Sequence, residues 1–190
     1  MSKKLLEKLN ASPLPAPTVL VTVQTADKNP NIITIAWTGV FSYHPNVIYI
    51  AVNPARYSNP MLKESREYVI NIPAADLAKT VDYCGLVSGR NVDKFAETGL
   101  TPLAASVVKA PLIKECPVNL ECKVIDVQNY GSHDIFVGEI VAVHCDEAAL
   151  DDQGHPDLNK IRPYSCTLGE YRAMGEKLGA MGYGKRGSKE

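Results

Sequence analysis

Hydrophobic and polar positions along the chain alternate in short runs, the texture of strands rather than long helices. Between Thr18 and Val52 the β-branched residues gather in Val19–Val23, Ile32–Val40 and Val47–Val52. Such side chains are stiff at their first torsion and pack well on a pleated surface. The turn-prone Asp27-Lys28-Asn29-Pro30-Asn31 and His44-Pro45-Asn46 separate these runs, and links this short join antiparallel strands, because parallel ones need long crossovers. Tyr68–Ile72 reads as a further strand. The cleanest period follows, with Val118, Leu120, Cys122 and Val124 alternating with Asn119, Glu121 and Lys123, as in a strand with one buried face. After a turn at Tyr130-Gly131-Ser132 the segment Ile135–Val143 runs back, and Gly138 in its middle marks a bulge or a close approach.

Between Asn53 and Gly99 the texture changes. Pro60, after Ser58 and Asn59, suits the first position of a short helix running to about Arg66. Leu77–Tyr83 and Asn91–Glu97 read as two more, closed by Gly85 and Gly99. Leu5, Leu6 and Leu9 share one helical face ahead of Pro13, Pro15 and Pro17, which predicts an N-terminal helix or arm over residues 1–16. Residues 164–190 are expected to form a helical tail. The pattern as a whole predicts one domain over residues 1–190, mostly β, a small antiparallel barrel of six strands with short helices outside it.

Composition narrows the function classes. The 190 residues are 45% hydrophobic, enough for a single core at this length. Lys and Arg number 20 against 21 Asp and Glu, for a net charge of −1, so no basic excess is available for a nucleic acid. No segment approaches the roughly 20 apolar residues of a membrane helix, and MSKKLLEKLNAS lacks a signal-like apolar run. A cytoplasmic protein without membrane attachment is expected. The cysteines, Cys84, Cys116, Cys122, Cys145 and Cys166, include no CxxC pair, which argues against a disulfide framework or a standard zinc site. His133, His144 and His155 fall in a turn, a strand end and a loop, so no shared metal is expected.

Signatures for nucleotide-binding loops, zinc proteases and serine hydrolases are missing. Two segments carry anion chemistry instead. In Asn53-Pro-Ala-Arg-Tyr-Ser-Asn-Pro a loop with Arg56 and Ser58 runs into a helix start, where free N–H groups, the helix dipole, a guanidinium and a hydroxyl suit a phosphate. A capped helix beside a solvated Arg explains the same residues, and both readings stay open. In Ser88-Gly-Arg-Asn-Val-Asp-Lys-Phe, Ser88, Arg90 and Lys94 surround another helix entry, with ordinary capping and surface charge as the alternative.

The ordered set Asn31-Ile-Ile-Thr-Ile-Ala-Trp, Pro45-Asn-Val-Ile-Tyr-Ile-Ala-Val, Arg56-Tyr-Ser, Val69-Ile-Asn-Ile-Pro, Ser88-Gly-Arg-Asn-Val-Asp-Lys-Phe and Gly131-Ser-His-Asp-Ile-Phe-Val-Gly-Glu-Ile resembles the flavin reductase-like, FMN-binding split-barrel family, and its flavoredoxin-type members most. The resemblance implies an antiparallel six-stranded Greek-key split barrel that binds FMN and forms a homodimer. It implies an FMN-dependent oxidoreductase that takes hydride from NAD(P)H and passes electrons to a flavin or protein acceptor, or alternatively a flavoredoxin-like electron carrier without direct NAD(P)H activity. Asn31 begins the strand, and Thr34, Ile35, Ala36 and Trp37 match the backbone along the isoalloxazine edge. Asn53, Arg56 and Ser58 match the ribityl and phosphate loop, and Ser88, Gly89 and Lys94 the second phosphate-side segment. His133 matches a turn histidine near the nicotinamide, although Ser132 stands where an acidic residue is more usual. Trp37 either stacks near the ring or fills the barrel core. Flavin carries its own redox chemistry, so a chain of this kind needs no acid, base or nucleophile signature.

Overall fold

The structure, a computed structural model, describes Leu5 and residues 15–185. Of the expected N-terminal helix or arm over residues 1–16, all but Leu5, Pro15 and Ala16 lie outside the described residues. Twelve strands follow in chain order: β1 (Ala16–Pro17), β2 (Val19–Val23), β3 (Asn31–Ile35), β4 (Thr38–Tyr43), β5 (Asn46–Val52), β6 (Glu67–Ile72), β7 (Pro102–Leu103), β8 (Leu112–Ile113), β9 (Val118–Asn129), β10 (Asp134–Cys145), β11 (Tyr164–Thr167) and β12 (Glu170–Ala173). The helices are α1 (Ser58–Ser65), α2 (Ala78–Leu86), α3 (Lys94–Thr98) and α4 (Leu158–Ile161).

Seven strands form the main sheet, in the order β3-β2-β6-β9-β10-β5-β4, every neighbour antiparallel. Seven replace the six expected because the run Ile32–Val40 is broken at Ala36 and Trp37, which belong to neither β3 nor β4. That break closes the architecture. β3 and β4 are the two edges of the sheet, yet only two residues separate them, a gap spanning roughly 10 Å at full extension. Opposite edges can lie that close only if the sheet curls into a barrel. The Ala51 N–H donates to the Trp37 carbonyl at 2.9 Å and extends the β4–β5 ladder into the break.

Inside the barrel lie Val21, Val23, Ile33, Ile50, Tyr68 and Phe136, with Met61 and Leu62 of α1 plugging one end. β2 is buried on both faces. Its odd positions point into the barrel, while Leu20 packs outward under Val81 and Cys84 of α2 and Phe95 of α3. The alternation in β9 holds only in part, because Asn119 and Glu121 on its polar side are buried too. The loop after β7 covers that face. Glu121 accepts hydrogen bonds from the N–H groups of Ser106, Val107 and Val108 at 2.7–2.9 Å and meets Nε2 of His144 at 2.6 Å. These bonds outweigh the cost of burial and hold its carboxyl below the ordinary range.

Gly138 lies opposite a bulge and is a close approach. The register shifts between Val137 and Gly138, where β9 carries the extra residue Ile125, and a Cβ at 138 would stand 2.5 Å from the Tyr68 hydroxyl. Two local expectations need correction. Gly85 lies within α2 rather than closing it, whereas Gly99, in the left-handed region at φ 72°, does terminate α3. Where a helical tail was expected over 164–190, residues 164–173 form a hairpin of β11 and β12 with β1 paired to β11, and the described residues 174–185 contain no helix. Leu168 and Gly169 both adopt positive φ, the geometry of a two-residue turn that matches strand twist.

Candidate functional site

The break that closes the barrel also opens its side. Ala36 and Trp37 lie outside both flanking strands, and a cavity of about 280 Å³ forms against them, lined by Thr34, Ile35, Ala36, Trp37, Asn53 and His133, among others. Trp37 is 44% exposed, so it is a wall and not barrel filling. Its ring meets that of His133 at 4.4 Å between centroids with a 43° tilt. The Ser132 hydroxyl lies 2.8 Å from His133 Nδ1, which leaves Nε2 for a partner in the cavity.

A second cavity, of about 210 Å³, adjoins the first and shares Ile33 and Arg56 with it. Asn31, Ser58, Ser88, Gly89 and Lys94 are in its wall. All twelve residues singled out in the sequence therefore line one or other of two adjoining cavities. Three cations, Arg56, Arg90 and Lys94, face the second cavity, and no carboxylate does.

The loop before α1 is shaped by Asn53, whose Oδ1 accepts from the Ala55 N–H at 2.9 Å while its carbonyl accepts from the Arg56 N–H at 3.0 Å. The helix begins at Ser58, two residues before Pro60, and no side chain caps it. A side-chain cap is thus absent here; the Asn59 N–H donates to the Arg56 carbonyl at 3.0 Å and Pro60 has none, so the Ser58 N–H and the positive end of the helix are what the start offers an anion. Ser58 is buried, and its hydroxyl accepts from Nδ2 of Asn31 at 2.7 Å. The other face of Asn31 lies against Gly89, where a Cβ would stand 2.1 Å from Asn31 Oδ1. Glycine at 89 is therefore a packing requirement.

The second helix entry divides between the two readings of the sequence. Asp93 is an ordinary cap on α3, accepting from the N–H groups of Phe95 and Ala96. Lys94 is not a surface charge. It is 4% exposed, and its ammonium donates to the carbonyls of Ile32 at 2.7 Å and Cys84 at 2.6 Å. Burial lowers its pKa to about 8; the neighbouring Cys84 opposes that shift and Arg56 adds to it. Burial raises the Cys84 thiol, with Lys94 acting against it. Two of the three ammonium donors are spent on carbonyls, which aims the group and leaves one for a ligand.

Next to His133 sits a residue that sequence reasoning missed. Asp134, 4% exposed, accepts from Asn59 Nδ2 at 3.0 Å and Asn129 Nδ2 at 2.8 Å, and pairs with Lys63 at 2.7 Å. Asn59 donates as well to the Val52 carbonyl at 3.1 Å. Asp134 thus ties the start of α1 to the turn carrying His133. Lys63, then Asn129, hold its carboxyl down at about 2. The available signal was an acid directly after His133, flanked by a strand.

Comparison with known proteins agrees with this geometry. Residues 11–166 match the model of the flavin reductase like domain. An uncharacterised protein of Archaeoglobus fulgidus is 37% identical over 132 residues, covering 70% of this chain and 73% of the relative. Flavoredoxin of Desulfovibrio vulgaris (Miyazaki F) superposes with a TM-score of 0.89 at 35% identity, covering 96% of this chain and 99% of that one. Flavoredoxin from Methanosarcina acetivorans gives 0.89 at 31% identity, covering 96% and 97%. The chain belongs to the flavin reductase-like domain family.

Proposed function

We propose that the two adjoining cavities hold one FMN and that the protein is a flavin-dependent oxidoreductase, accepting hydride from NAD(P)H and passing electrons to a flavin or protein acceptor. The observation that carries this reading is the second cavity, which has three cations, no carboxylate and an uncapped helix start, beside a flatter cavity walled by a strand break. The donor set fits a phosphate monoester dianion.

In this reading Arg56, Ser58, Ser88 and Lys94 bind the phosphate, and Asn31 orients the Ser58 hydroxyl. Asn53 shapes the ribityl side, and the Thr34–Trp37 backbone lies along the polar edge of the ring. Trp37 and His133 wall the mouth through which a nicotinamide would approach, and Ser132 fixes the orientation of the His133 ring. When bound, FMN supplies the hydride acceptance and electron release that no side chain here provides. The exposed Val40, Phe41 and Tyr43 of β4, next to Trp37, favour a homodimer that covers the ring side of the site.

Steady-state assays with NADH and NADPH, with and without added FMN or FAD, test the activity. Nucleotide oxidation above background is expected, and its absence with every acceptor would remove the reductase. The likeness to two flavoredoxins favours a second reading, an electron carrier exchanging electrons with a protein partner. Anaerobic reduction by a reduced ferredoxin-type protein, compared with NAD(P)H, separates the two: fast reduction by the nucleotide alone eliminates the carrier.

A further inference from the structure

Ala36 and Trp37 belong to neither flanking strand, and both line the cavity beside the break. Backbone released from a ladder in this way moves unless something else holds it. Of the backbone polar groups of these two residues, the Trp37 carbonyl alone has a partner among the described residues, the Ala51 N–H. The N–H groups of Ala36 and Trp37 stay available in the cavity wall.

Two hydroxyls bracket the break. Thr34 is the last residue but one of β3 and Thr38 the first of β4, and both are half-buried. The Thr34 hydroxyl donates to the Val81 carbonyl of α2 at 2.5 Å, and the Thr38 hydroxyl donates to the Tyr49 carbonyl of β5 at 2.6 Å. Threonine is stiff at its first torsion, so each bond fixes backbone as well as side chain. The break is thereby slung between a helix outside the barrel and a strand of its wall. Gly85 shows what the first tether demands. It stands one turn after Val81 inside α2, where glycine is a poor helix former. A Cβ at 85 would stand 3.2 Å from Thr34 Cβ, so the side chain is missing where α2 closes on Thr34.

We propose that Thr34 and Thr38 are positioning residues for the flavin ring: their two tethers hold the Ala36 and Trp37 N–H groups at its polar edge, where they favour the reduced form. The proposal rests on FMN lying across the two cavities. Reduction adds negative charge to that edge, and fixed donors beside it raise the potential. Both hydroxyl protons are spent away from the cavity, and Thr38 is not part of its wall. Each threonine therefore acts through the backbone between them.

Valine at either position keeps the branched shape and removes the donor, whereas serine keeps the donor. Two readouts on the full chain test the proposal. Trp37 is the one tryptophan of the sequence, so acrylamide quenching of its fluorescence reports on the break in the protein without flavin. The midpoint potential of bound FMN reports on the ring. Thr34→Val and Thr38→Val should each raise the quenching of Trp37 and lower the two-electron potential by about 30 mV, equivalent to a hold on reduced FMN weakened about tenfold, the scale of one hydrogen bond to a charged group. Oxidised FMN should still bind both, since the phosphate cavity is untouched. Thr34→Ser and Thr38→Ser should keep the wild-type quenching and potential. An unmoved potential in both valine variants overturns the proposal while leaving the FMN reading intact. So do serine variants shifted as far as the valine ones, wild-type quenching in the valine variants, or folded valine variants that no longer bind oxidised FMN. The two positions are independent, so a variant that does not fold leaves the other to decide. Wild-type protein that binds no FMN defeats the FMN reading and the positioning role together.

Discussion

Replacing Lys94 by Met removes the buried cation while keeping an unbranched chain of similar length. In the free protein its ammonium titrates near 8 instead of 10.5. At neutral pH the fold therefore bears a cost of about 3 kcal/mol to keep it charged, at 1.36 kcal/mol per pKa unit. Removing the ammonium relieves that cost but leaves the carbonyls of Ile32 and Cys84 without their donor, at about 1–3 kcal/mol each. The two effects nearly cancel, so the melting midpoint of Lys94→Met should change little. FMN affinity should not escape. Loss of one charged bond to phosphate corresponds to a drop of roughly 10- to 100-fold.

The pH dependence gives the sharper signature. A bound phosphate dianion raises the Lys94 pKa back toward its ordinary value, while free Lys94 loses its proton above about 8. Binding above that pH must take up a proton, and wild-type affinity falls by up to tenfold per pH unit between about 8 and 10.5. Below 8 the affinity loses this slope. Lys94→Met should have no such slope anywhere in that window. Fluorescence titrations of both proteins from pH 7 to 10 measure it. A flat wild-type profile, or an equal slope in the variant, refutes the role assigned to Lys94.

Other substitutions probe separate parts of the account. Gly89→Ala pushes a methyl group to 2.1 Å from Asn31 Oδ1 and 2.9 Å from the Tyr57 ring, so it should displace Asn31 and weaken FMN binding at least about tenfold, as read by titration. Gly138→Ala drives a Cβ against the Tyr68 hydroxyl and should destabilise by about 1–3 kcal/mol in chemical denaturation. Among the described residues the polar neighbour of that hydroxyl is the Cys122 thiol, a weak partner, and no stronger one is present, so Tyr68→Phe should be tolerated alone and recover part of the Gly138→Ala loss in the double variant; additive losses would contradict the proposed clash. Asp134 has a folded pKa depressed to about 2, so its stabilisation is present above the unfolded value near 4 and fades as pH falls from about 4 to 2. Asp134→Asn should lose about 2 kcal/mol at pH 7 and flatten the acid limb of the stability profile. An unchanged acid limb would show that Asp134 is not the clamp described.

Much of this architecture was legible because it is local. Val19–Val23, Val47–Val52 and Tyr68–Ile72 appear as strands where their β-branched and aromatic runs lie, and short turns made the antiparallel pairing nearly obligatory. Features set by distant chain were not legible. The break at Ala36–Trp37 interrupts a run whose propensity favours strand throughout, and barrel closure imposes it. Burial of Asn119 and Glu121 depends on where the loop through Ser106–Val108 lands, which no period in β9 encodes. The hairpin at Leu168–Gly169 was hidden because Leu adopts a positive φ there, where Asn or Asp would have announced the turn. At the site, residue chemistry singled out the Arg56–Ser58 and Ser88–Lys94 segments and the family resemblance added Thr34–Trp37 and His133, yet whether Lys94 was buried or solvated and whether α1 was capped required the coordinates. Asp134 escaped because its partners come from α1 and from the end of β9, far apart in sequence.

The central claim is that one flavin mononucleotide sits across the two cavities, and its most direct test is titration of the purified chain with FMN, followed by flavin fluorescence and visible absorption. The account predicts saturation at one FMN per chain, with perturbed flavin absorption bands and a marked loss of affinity in Arg56→Ala. Free-flavin spectra at every protein concentration, or saturable binding indifferent to Arg56 and Lys94 alike, would contradict it.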